Sequence, residues 1–335
     1  MRIKVKKLEL LVHQSLLKKF GQKTADLLTP VIMFGELSGK TSHGLVRLIV
    51  GKSSMLAQQP TGGPEIVKKT KVSSLIQSNQ NPAMMVASVA MKEVIKLAKK
   101  NNFGIVGTNN TLSTSGCLTY YVEQIAKQDL IGIVMARSPQ CIVPHGGIEP
   151  LMGTNPIAFG IPSIPHPFIF DMGTSAISYG EVLKAKTLKK NLPENVAIDQ
   201  LGNPTTNPER VQGGALLSFD HSYKGAGLAM IVEIFAGILT GAGYGKIDDG
   251  GWGNFFLAFS PELLIDKEDF KHKIQDFIES VRNSKTKDGK QVRISGEKTL
   301  LTRDENLRRG EIEVDDGILN RIKSFLAGKP QNLSV

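Results

Sequence analysis

The sequence predicts an α/β fold, because segments with the periodicity of amphipathic helices alternate with short apolar segments typical of buried strands. The helical segment 82–100 is followed by the strand-like segment 102–108, and the alternation repeats at 118–128 and 130–138. Hydrophobic residues make up 41% of the chain and charged residues 21%, which is typical of soluble globular proteins. With 335 residues, the chain is long enough for two compact lobes.

The first part of the chain predicts helices that cover a core. Apolar residues recur at helical spacing within residues 7–33, and Gly21 divides this stretch into two short helices. The helix at 82–100 starts at Pro82, which is compatible with a first helical turn, and it ends on basic residues that interact favourably with the helix dipole.

The second part predicts further strands at 157–162 and 168–172, followed by a polar, turn-rich stretch at 176–215. An almost uncharged helix at 225–240 is expected to be buried. It is followed by a glycine-rich loop at 246–253, a strand at 254–261 and an amphipathic helix at 268–283.

Several classes of protein are disfavoured by what the sequence lacks. No run approaches the roughly 18 apolar residues of a membrane helix, and the basic N-terminus has no apolar core or small-residue cleavage site of a secretory signal. The two cysteines, Cys117 and Cys141, provide neither a disulfide framework nor a metal cluster. We therefore expect a cytoplasmic protein with no metal site and no membrane contact.

Positive charge is concentrated in the first hundred residues, which contain 17 Lys and Arg but 5 Asp and Glu. Such a segment could attract an acidic small molecule, a cofactor phosphate or nucleic acid, or it could be a solvated surface. Aromatic residues make up only 6% of the chain, and no basic run is interleaved with aromatics, so nucleic-acid binding is not expected.

The segment from Pro144 to Ser175 contains Gly-Gly, Gly-Thr-Asn-Pro and Asp-Met-Gly-Thr-Ser within one short window. Small residues and turn formers allow the backbone to approach a ligand closely. The alternative is a set of ordinary loops between strands. No GxGxxG follows a first strand, so the pattern does not favour a Rossmann fold.

His43 and Arg47 are the first candidates for chemistry. If their segment opens a helix, residues four apart lie on one face. Arginine can bind a carboxylate in a bidentate manner while histidine exchanges a proton with the neighbouring oxygen. The alternative is a helix-capping histidine beside a surface arginine. His145, in the glycine-rich window, is more typical of a structural histidine, and the remaining histidines have no supporting constellation.

Lys224 precedes the apolar helix, where a lysine faces positive backbone dipoles unless an anion lies there. It is therefore a candidate for binding a cofactor phosphate or a substrate carboxylate, unless its side chain reaches solvent past the neighbouring glycines.

Six motifs in sequence order resemble the type 2 malate/L-lactate dehydrogenase family: SHGLVR, PHGG followed by GTNPIAFGIP, DMGTS, NPTTNP, YKGAGLAMIVEIFAG and SGE. This family includes sulfolactate and ureidoglycolate dehydrogenases, 2,3-diketogulonate reductase and reductases of piperideine- and pyrroline-2-carboxylates. The resemblance implies a non-Rossmann NAD(P)-binding fold with a mixed sheet and a helical lobe. It also implies a homodimer with active sites near the subunit interface. We expect residues 1–75 and 260–335 to form the helical, substrate-side lobe and residues 76–259 the cofactor-binding lobe.

The resemblance also implies roles for individual residues. His43 is similar to the family's proton donor and acceptor, and Ser42, Arg47 and Thr114 occupy positions that bind substrate. The positions that resemble contacts to NAD or NADP are Ser138, Thr154, Asn155, Asp171, Met172, Gly173, Thr174, Ser175, Tyr223, Lys224, Gly296 and Glu297.

The sequence departs from the family pattern at three positions. Thr114 stands where a second histidine is usual, Gly51 where an aromatic residue is usual, and Glu181 where a lysine is common. Threonine cannot replace imidazole as a general base at neutral pH.

The favoured function is hydride transfer between a nicotinamide and C2 of a small, anionic 2-hydroxy or 2-oxo carboxylate. The alternatives are a cyclic imine reductase, which tolerates the missing histidine better, and a dinucleotide-binding relative that has lost turnover.

Overall fold

The computed structural model describes residues 1–51, 54–247 and 251–329. Strands in these ranges are β1 (Arg2–Lys4), β2 (Glu65–Lys69), β3 (Ser73–Gln77), β4 (Phe103–Thr111), β5 (Ile131–Arg137), β6 (Ile157–Ile161), β7 (Phe168–Met172), β8 (Ala197–Ile198), β9 (Ala215–Leu216), β10 (Trp252–Phe259) and β11 (Glu311–Glu313). Seven of them form one sheet in the order β2-β3-β4-β10-β5-β6-β7. β3 and β4 are parallel, and the other neighbouring pairs are antiparallel. The prediction of an α/β fold with a mixed sheet is confirmed.

The α-helices in the described ranges are α1 (Val5–Phe20), α2 (Gln22–Leu37), α3 (Leu45–Ile49), α4 (Ala83–Asn101), α5 (Leu118–Ala126), α6 (Tyr179–Thr187), α7 (Tyr223–Ala236), α8 (Lys267–Arg282), α9 (Glu297–Arg309) and α10 (Asp316–Leu326). The predicted break between the first two helices is confirmed at Gly21, whose φ of 82° suits glycine. Both helices are longer than predicted, because their buried faces continue beyond residues 7–33.

The sheet is covered on both faces, as two adjacent phenylalanines of β10 show. Phe255 packs edge-on against Phe235 of α7, with 5.0 Å between the ring centroids. Phe256 packs against Tyr121 of α5, with 5.8 Å between the centroids. Successive side chains of a strand point to opposite faces, so α5 and α7 lie on opposite sides of the sheet.

Helices from the two ends of the chain pack together beside the sheet. β1 pairs with β11, and α1 and α2 contact α10 and α9. The buried carboxylate of Glu123 on α5 accepts two 2.7 Å hydrogen bonds from Arg303 on α9, which attaches the C-terminal helices to the sheet layer. The division into two lobes stays a prediction, but its boundary at residue 75 lies inside β3, which belongs to the seven-stranded sheet.

Two predicted elements differ from the structure. The stretch 176–215, predicted as turns, contains α6. The apolar helix expected to be buried is α7, which buries one face but exposes large apolar side chains on the other. Those exposed residues on α7 and the turn after it are Met230, Ile231, Ile234, Ile238 and Leu239.

The 18 residues from Tyr223 to Thr240 form a stretch that is long and apolar enough on average to cross a membrane, although Lys224 and Glu233 interrupt its apolar sequence. In the structure 44% of this window is buried inside the molecule. The predicted loop at 246–253 lies partly outside the described residues, and β10 already begins at Trp252.

Candidate functional site

A cavity of about 450 Å³ lies between the end of β5, the segment around α3 and the start of α6. This volume is within the usual range for small-molecule sites. The cavity is lined by Ser42, His43, Arg47, Thr114, Ser115, Gly116, Ala136, Arg137, Ser138, Pro139, Gln140, Cys141, Thr154, Pro156, Ser178, Tyr179, Gly180, Leu183 and Trp252. Six of the residues predicted for the site therefore share one cavity.

The segment that carries His43 is held tightly against α2. A Cβ on Gly35 would lie 2.6 Å from the His43 carbonyl oxygen, and a Cβ on Gly44 would lie 2.3 Å from a carboxylate oxygen of Glu36. That buried carboxylate accepts a 3.0 Å hydrogen bond from the Leu45 amide. The two glycines therefore allow a close approach that fixes the backbone on both sides of His43.

His43 and Arg47 are arranged through Ser42. The Ser42 hydroxyl lies 2.9 Å from Nδ1 of His43, which leaves Nε2 as the ring nitrogen for other partners. Nε of Arg47 donates to the Ser42 carbonyl oxygen at 2.8 Å, which orients the guanidinium within the lining of the cavity. Ser42 thus orients both candidate functional groups, the imidazole through its hydroxyl and the guanidinium through its carbonyl oxygen.

The pKa of His43 is lowered to about 4 by burial first, and then by the positive charges of Arg47 and Lys40. Burial also lowers the pKa of Arg47, but a guanidinium remains protonated at neutral pH. The site therefore presents a neutral imidazole beside a cation. A neutral imidazole can accept a proton, and a bound anion would offset the positive charges that depress its pKa.

The electrostatics of the cavity favour an anion. Its described lining residues include His43, Arg47 and Arg137, and none of them is Asp or Glu. Arg137 is fully buried and is paired with Glu233, so Arg47 is the cation best placed to bind a ligand.

Another part of the lining is formed by Ser138 and Thr154. The Thr154 amide donates to the Ser138 hydroxyl at 3.1 Å, and the two hydroxyls lie 3.3 Å apart. Beside them the apolar surfaces of Pro139, Pro156 and Trp252 line the cavity. Hydroxyl groups beside apolar surface fit the amide and planar ring of a nicotinamide, whereas most of a dinucleotide would extend beyond a cavity of this size.

The segment from Asp171 to Ser175 contributes no residue to the cavity lining. Asp171 accepts hydrogen bonds from the amide and hydroxyl of Thr119 at 2.9 and 2.7 Å, which anchor the start of α5. Thr174 is buried, and its hydroxyl and amide donate to the Thr154 carbonyl oxygen. This segment, which includes Met172 and Gly173, supports the cavity wall from behind, and its predicted contact with a cofactor remains a prediction.

Tyr223 and Lys224 lie at the exposed start of α7, outside the cavity lining. The anion expected at this helix start is supplied by the chain itself, because Asp220 accepts a 3.1 Å hydrogen bond from the Gly225 amide. Hydrogen bonds from Ser222 and Gly225 lower the pKa of Asp220 to about 2. An external anion is therefore not needed to explain the position of Lys224.

Gly296 and Glu297 lie outside the lining of the cavity that contains His43. Gly296 has a φ of 82° and packs against Ile169 of β7, and Glu297 forms an ion pair with Arg282. Glu297 lines a second cavity of about 310 Å³ between α8, α9 and residues 164–168, and that cavity shares no lining residue with the first. Their role toward a cofactor is a prediction that this geometry leaves untested.

Sequence reasoning missed the contribution of α6, whose Tyr179, Gly180 and Leu183 line the cavity. A signal was present, since Ser178 and Glu181 form the S-x-x-E pattern of a capping box, and both of its hydrogen bonds occur in the structure. Trp252 and Gln140 were also missed, because they line the cavity only as a result of β10 pairing with β5, which local sequence does not show. No three His, Cys, Asp or Glu side chains converge as a metal site within the described part of the chain.

Comparison with known proteins places this chain in a family. Residues 3–323 match the family model described as malate/L-lactate dehydrogenase. Ureidoglycolate dehydrogenase (NAD(+)) of Escherichia coli is 33% identical over 243 residues, which cover 70% of this chain and 68% of the relative. The Δ1-pyrroline-2-carboxylate/Δ1-piperideine-2-carboxylate reductase of Pseudomonas putida is 33% identical over 68% of this chain and 67% of the relative.

The solved structure of sulfolactate dehydrogenase from Methanocaldococcus jannaschii is similar over almost the full length. The TM-score is 0.85 with 30% identity, and the match covers 98% of this chain and 97% of that chain. Sequence and fold agree, and the chain belongs to the malate/L-lactate dehydrogenase family of oxidoreductases.

Proposed function

We propose that the protein is an NAD(P)-dependent oxidoreductase acting on a small 2-hydroxy or 2-oxo carboxylate. The observation that carries this proposal is the pairing of His43 and Arg47 in one cavity whose described lining contains no carboxylate. The chain belongs to a dehydrogenase family, which also supports a hydride-transfer reaction. When bound, the cofactor accepts or supplies the hydride at C2 of the substrate.

Arg47 binds the substrate carboxylate and orients the molecule. A guanidinium can form two parallel hydrogen bonds with a carboxylate, and Nε of Arg47 is already fixed by the Ser42 carbonyl oxygen. An α-carbon bearing the reacting oxygen is one bond from that carboxylate. The oxygen on C2 is thereby brought toward His43, which lines the same cavity and, like Arg47, is hydrogen-bonded to Ser42.

His43 moves the proton. With a pKa of about 4 in the free protein, its imidazole is neutral at neutral pH and can take the hydroxyl proton when the substrate is oxidised. Binding of a carboxylate at Arg47 reduces the positive field and raises the pKa of His43 toward its usual value. The imidazolium formed in this way returns the proton in the reductive direction.

Thr114 lines the cavity, and its hydroxyl accepts a 3.1 Å hydrogen bond from the Gly116 amide. It can hold a substrate oxygen but cannot act as a base at neutral pH. This observation supports a second candidate, the reduction of a cyclic imine carboxylate, because a C=N group that arrives protonated needs no general acid. Loss of turnover with retained dinucleotide binding is the third outcome to be tested.

The test is cofactor binding followed by turnover. Quenching or enhancement of nicotinamide fluorescence gives the Kd of NADH and NADPH, and oxidation of each is then followed with a panel of 2-oxo acids and cyclic imines. We expect turnover of at least one 2-oxo acid, and a fall in kcat of about 10²- to 10⁴-fold in His43→Ala with the cofactor Kd unchanged.

The other outcomes assign the alternatives. Turnover of cyclic imines that survives His43→Ala favours the imine reductase, and tight cofactor binding without any turnover favours a binding protein. A protein that binds neither cofactor contradicts the dehydrogenase proposal.

We also propose that the protein is a cytoplasmic homodimer in which a second copy covers the outer face of α7. The exposed apolar residues on this face are contiguous at helical spacing, and contiguous apolar patches are typical of interfaces. A membrane surface is the alternative occupant of the same face, and the two are distinguished by the test described in the Discussion.

A further inference from the structure

Glu233 is a buried carboxylate that the proposed mechanism does not use. It lies on the inner face of α7 with 6% of its surface exposed. One of its oxygens accepts hydrogen bonds from Nε of Arg137 at 3.3 Å and from the Gly245 amide at 3.1 Å. Burying a carboxylate is costly unless it is paired and hydrogen-bonded, and the second oxygen of Glu233 has a partner of its own.

That partner is Asn155. Its Nδ2 donates to the other carboxylate oxygen of Glu233 at 2.6 Å and to the Ala229 carbonyl oxygen at 3.0 Å. Asn155 is fully buried and has a φ of 35°, a conformation that asparagine tolerates better than most residues. Its side chain therefore points toward α7, away from the cavity that its neighbours line.

The opposite end of the same amide reaches the cavity wall. Oδ1 of Asn155 accepts a long, 3.4 Å hydrogen bond from the Ser138 amide, and Ser138 in turn accepts from the Thr154 amide. A Cβ on Gly153 would lie 2.3 Å from the Ser138 hydroxyl and 2.7 Å from Oδ1 of Asn155. Glycine at 153 is therefore what allows Ser138 and Asn155 to approach each other.

We propose that Glu233 and Asn155 are positioning residues: the Asn155 amide connects the buried Glu233 carboxylate to Ser138 and so fixes the wall that receives the nicotinamide end of the cofactor. The proposal rests on the proposed function. A neutral amide suits this position, because it donates to the carboxylate at one end and accepts from the Ser138 amide at the other without adding a charge. Asn155 thus acts behind the wall, and not as the direct cofactor contact implied by the resemblance.

The first experiment compares Asn155→Ala with a matched control, Asn109→Ala. Both asparagines are buried, and both donate Nδ2 to a carbonyl oxygen in α7 or the turn after it, Ala229 in one case and Thr240 in the other. Only Asn155 is bonded to Ser138. We expect Asn155→Ala to raise the Kd of NAD(P)H about tenfold, as the loss of one or two hydrogen bonds would, with a larger change in the cofactor KM than in kcat.

The control should lose thermal stability but keep the wild-type Kd. Equal cofactor Kd values for the folded Asn155→Ala variant and the wild type would overturn the inference and leave the proposed function intact. Failure of the wild type to bind either cofactor would overturn both.

A near-isosteric variant, Asn155→Asp, gives a readout that loss of packing would not produce. It retains an acceptor for the Ser138 amide but places a second carboxylate against Glu233, and two adjacent carboxylates share a proton. Among the described residues, the other charged and titratable groups facing Glu233 are Arg137 from β5 and the thiol of Cys141 from the following loop.

We expect the cofactor affinity of Asn155→Asp to improve as pH falls, because protonation restores a donor between the two carboxyl groups. The wild type should change less over the same range. A pH-independent, wild-type affinity in Asn155→Asp would overturn the inference, including in the case that Asn155→Ala does not fold.

Discussion

At the scale of single residues, the side chains that carry the proposed chemistry come from one six-residue segment. Ser42, His43 and Arg47 are connected by two hydrogen bonds within residues 42–47, and the segment is pressed against α2 at Gly35 and Gly44. The local sequence therefore places an imidazole beside a guanidinium, and burial then sets the protonation state of the imidazole. The pH dependence of the enzyme should report that burial.

We expect kcat/KM for substrate oxidation to remain constant as pH is lowered to about 5 and to fall below it, since the free-enzyme base must be unprotonated. The reason is that the pKa of His43 is lowered to about 4. In Lys40→Met one of the depressing charges is removed, so the acidic limb should move to higher pH. Measurement of the pH profile of both proteins checks this, and an acidic limb at the ordinary histidine pKa of 6.5 in the wild type would contradict it.

Gly153 is a second residue whose identity is set by contact distances. In Gly153→Ala the new Cβ would lie 2.3 Å from the Ser138 carbonyl oxygen, so backbone must move. We expect unfolding free energy to fall by about 1–3 kcal/mol and cofactor affinity to fall with it, measured by denaturant unfolding and fluorescence titration. Gly63→Ala, where a Cβ meets open space, is the control, and a Gly153→Ala protein that binds cofactor normally would show that the wall tolerates displacement.

The most informative element is α6, because it contributes three cavity residues but buries little of itself. Val182 is its buried residue, so its stability depends on the capping box formed by Ser178 and Glu181 more than on packing. Glu181 stands where the family often has a lysine, and in this chain it accepts hydrogen bonds from the Ser178 amide and hydroxyl. One departure from the family pattern therefore has a local structural role.

Replacing the cap should affect substrate binding through this helix. We expect Ser178→Ala to destabilise α6 by about 1 kcal/mol, to raise KM for the carboxylate substrate and to speed proteolysis within residues 179–187. Steady-state kinetics and limited proteolysis measure both. Asp266→Ala removes the equivalent cap from α8, which lines no part of this cavity, and a KM increase of the same size there would argue against a local effect of α6.

At the scale of the whole molecule, α7 joins the buried site to the surface. Its inner face carries Glu233 toward Arg137 and Asn155, while its outer face exposes apolar residues that include Ile231 and Ile234. A helix that is apolar on both sides is expected to be covered on both sides, which is the physical reason for proposing a second copy.

We expect the wild type to sediment as a dimer at micromolar concentration and Ile234→Asp to sediment as a monomer, because a buried carboxylate without a partner is costly at an interface. Leu264→Asp is the control, since Leu264 is 92% exposed and lies outside α7. A monomeric wild type would contradict the dimer, and co-flotation of a monomeric wild type with liposomes would assign the face to a membrane surface.

The sequence by itself determined the α/β class, the approximate positions of six helices and of five strands of the main sheet, and the pairing of His43 with Arg47, because periodicity and spacing are local properties. The resemblance added the family, which the comparisons confirmed. Local patterns could not show that β2 and β3 join the sheet, that α7 is exposed on one side, or that Ser138 lines the same cavity as His43. These features depend on strand order and on contacts between distant residues such as Asn155 and Glu233, and only the tertiary structure brings such residues together.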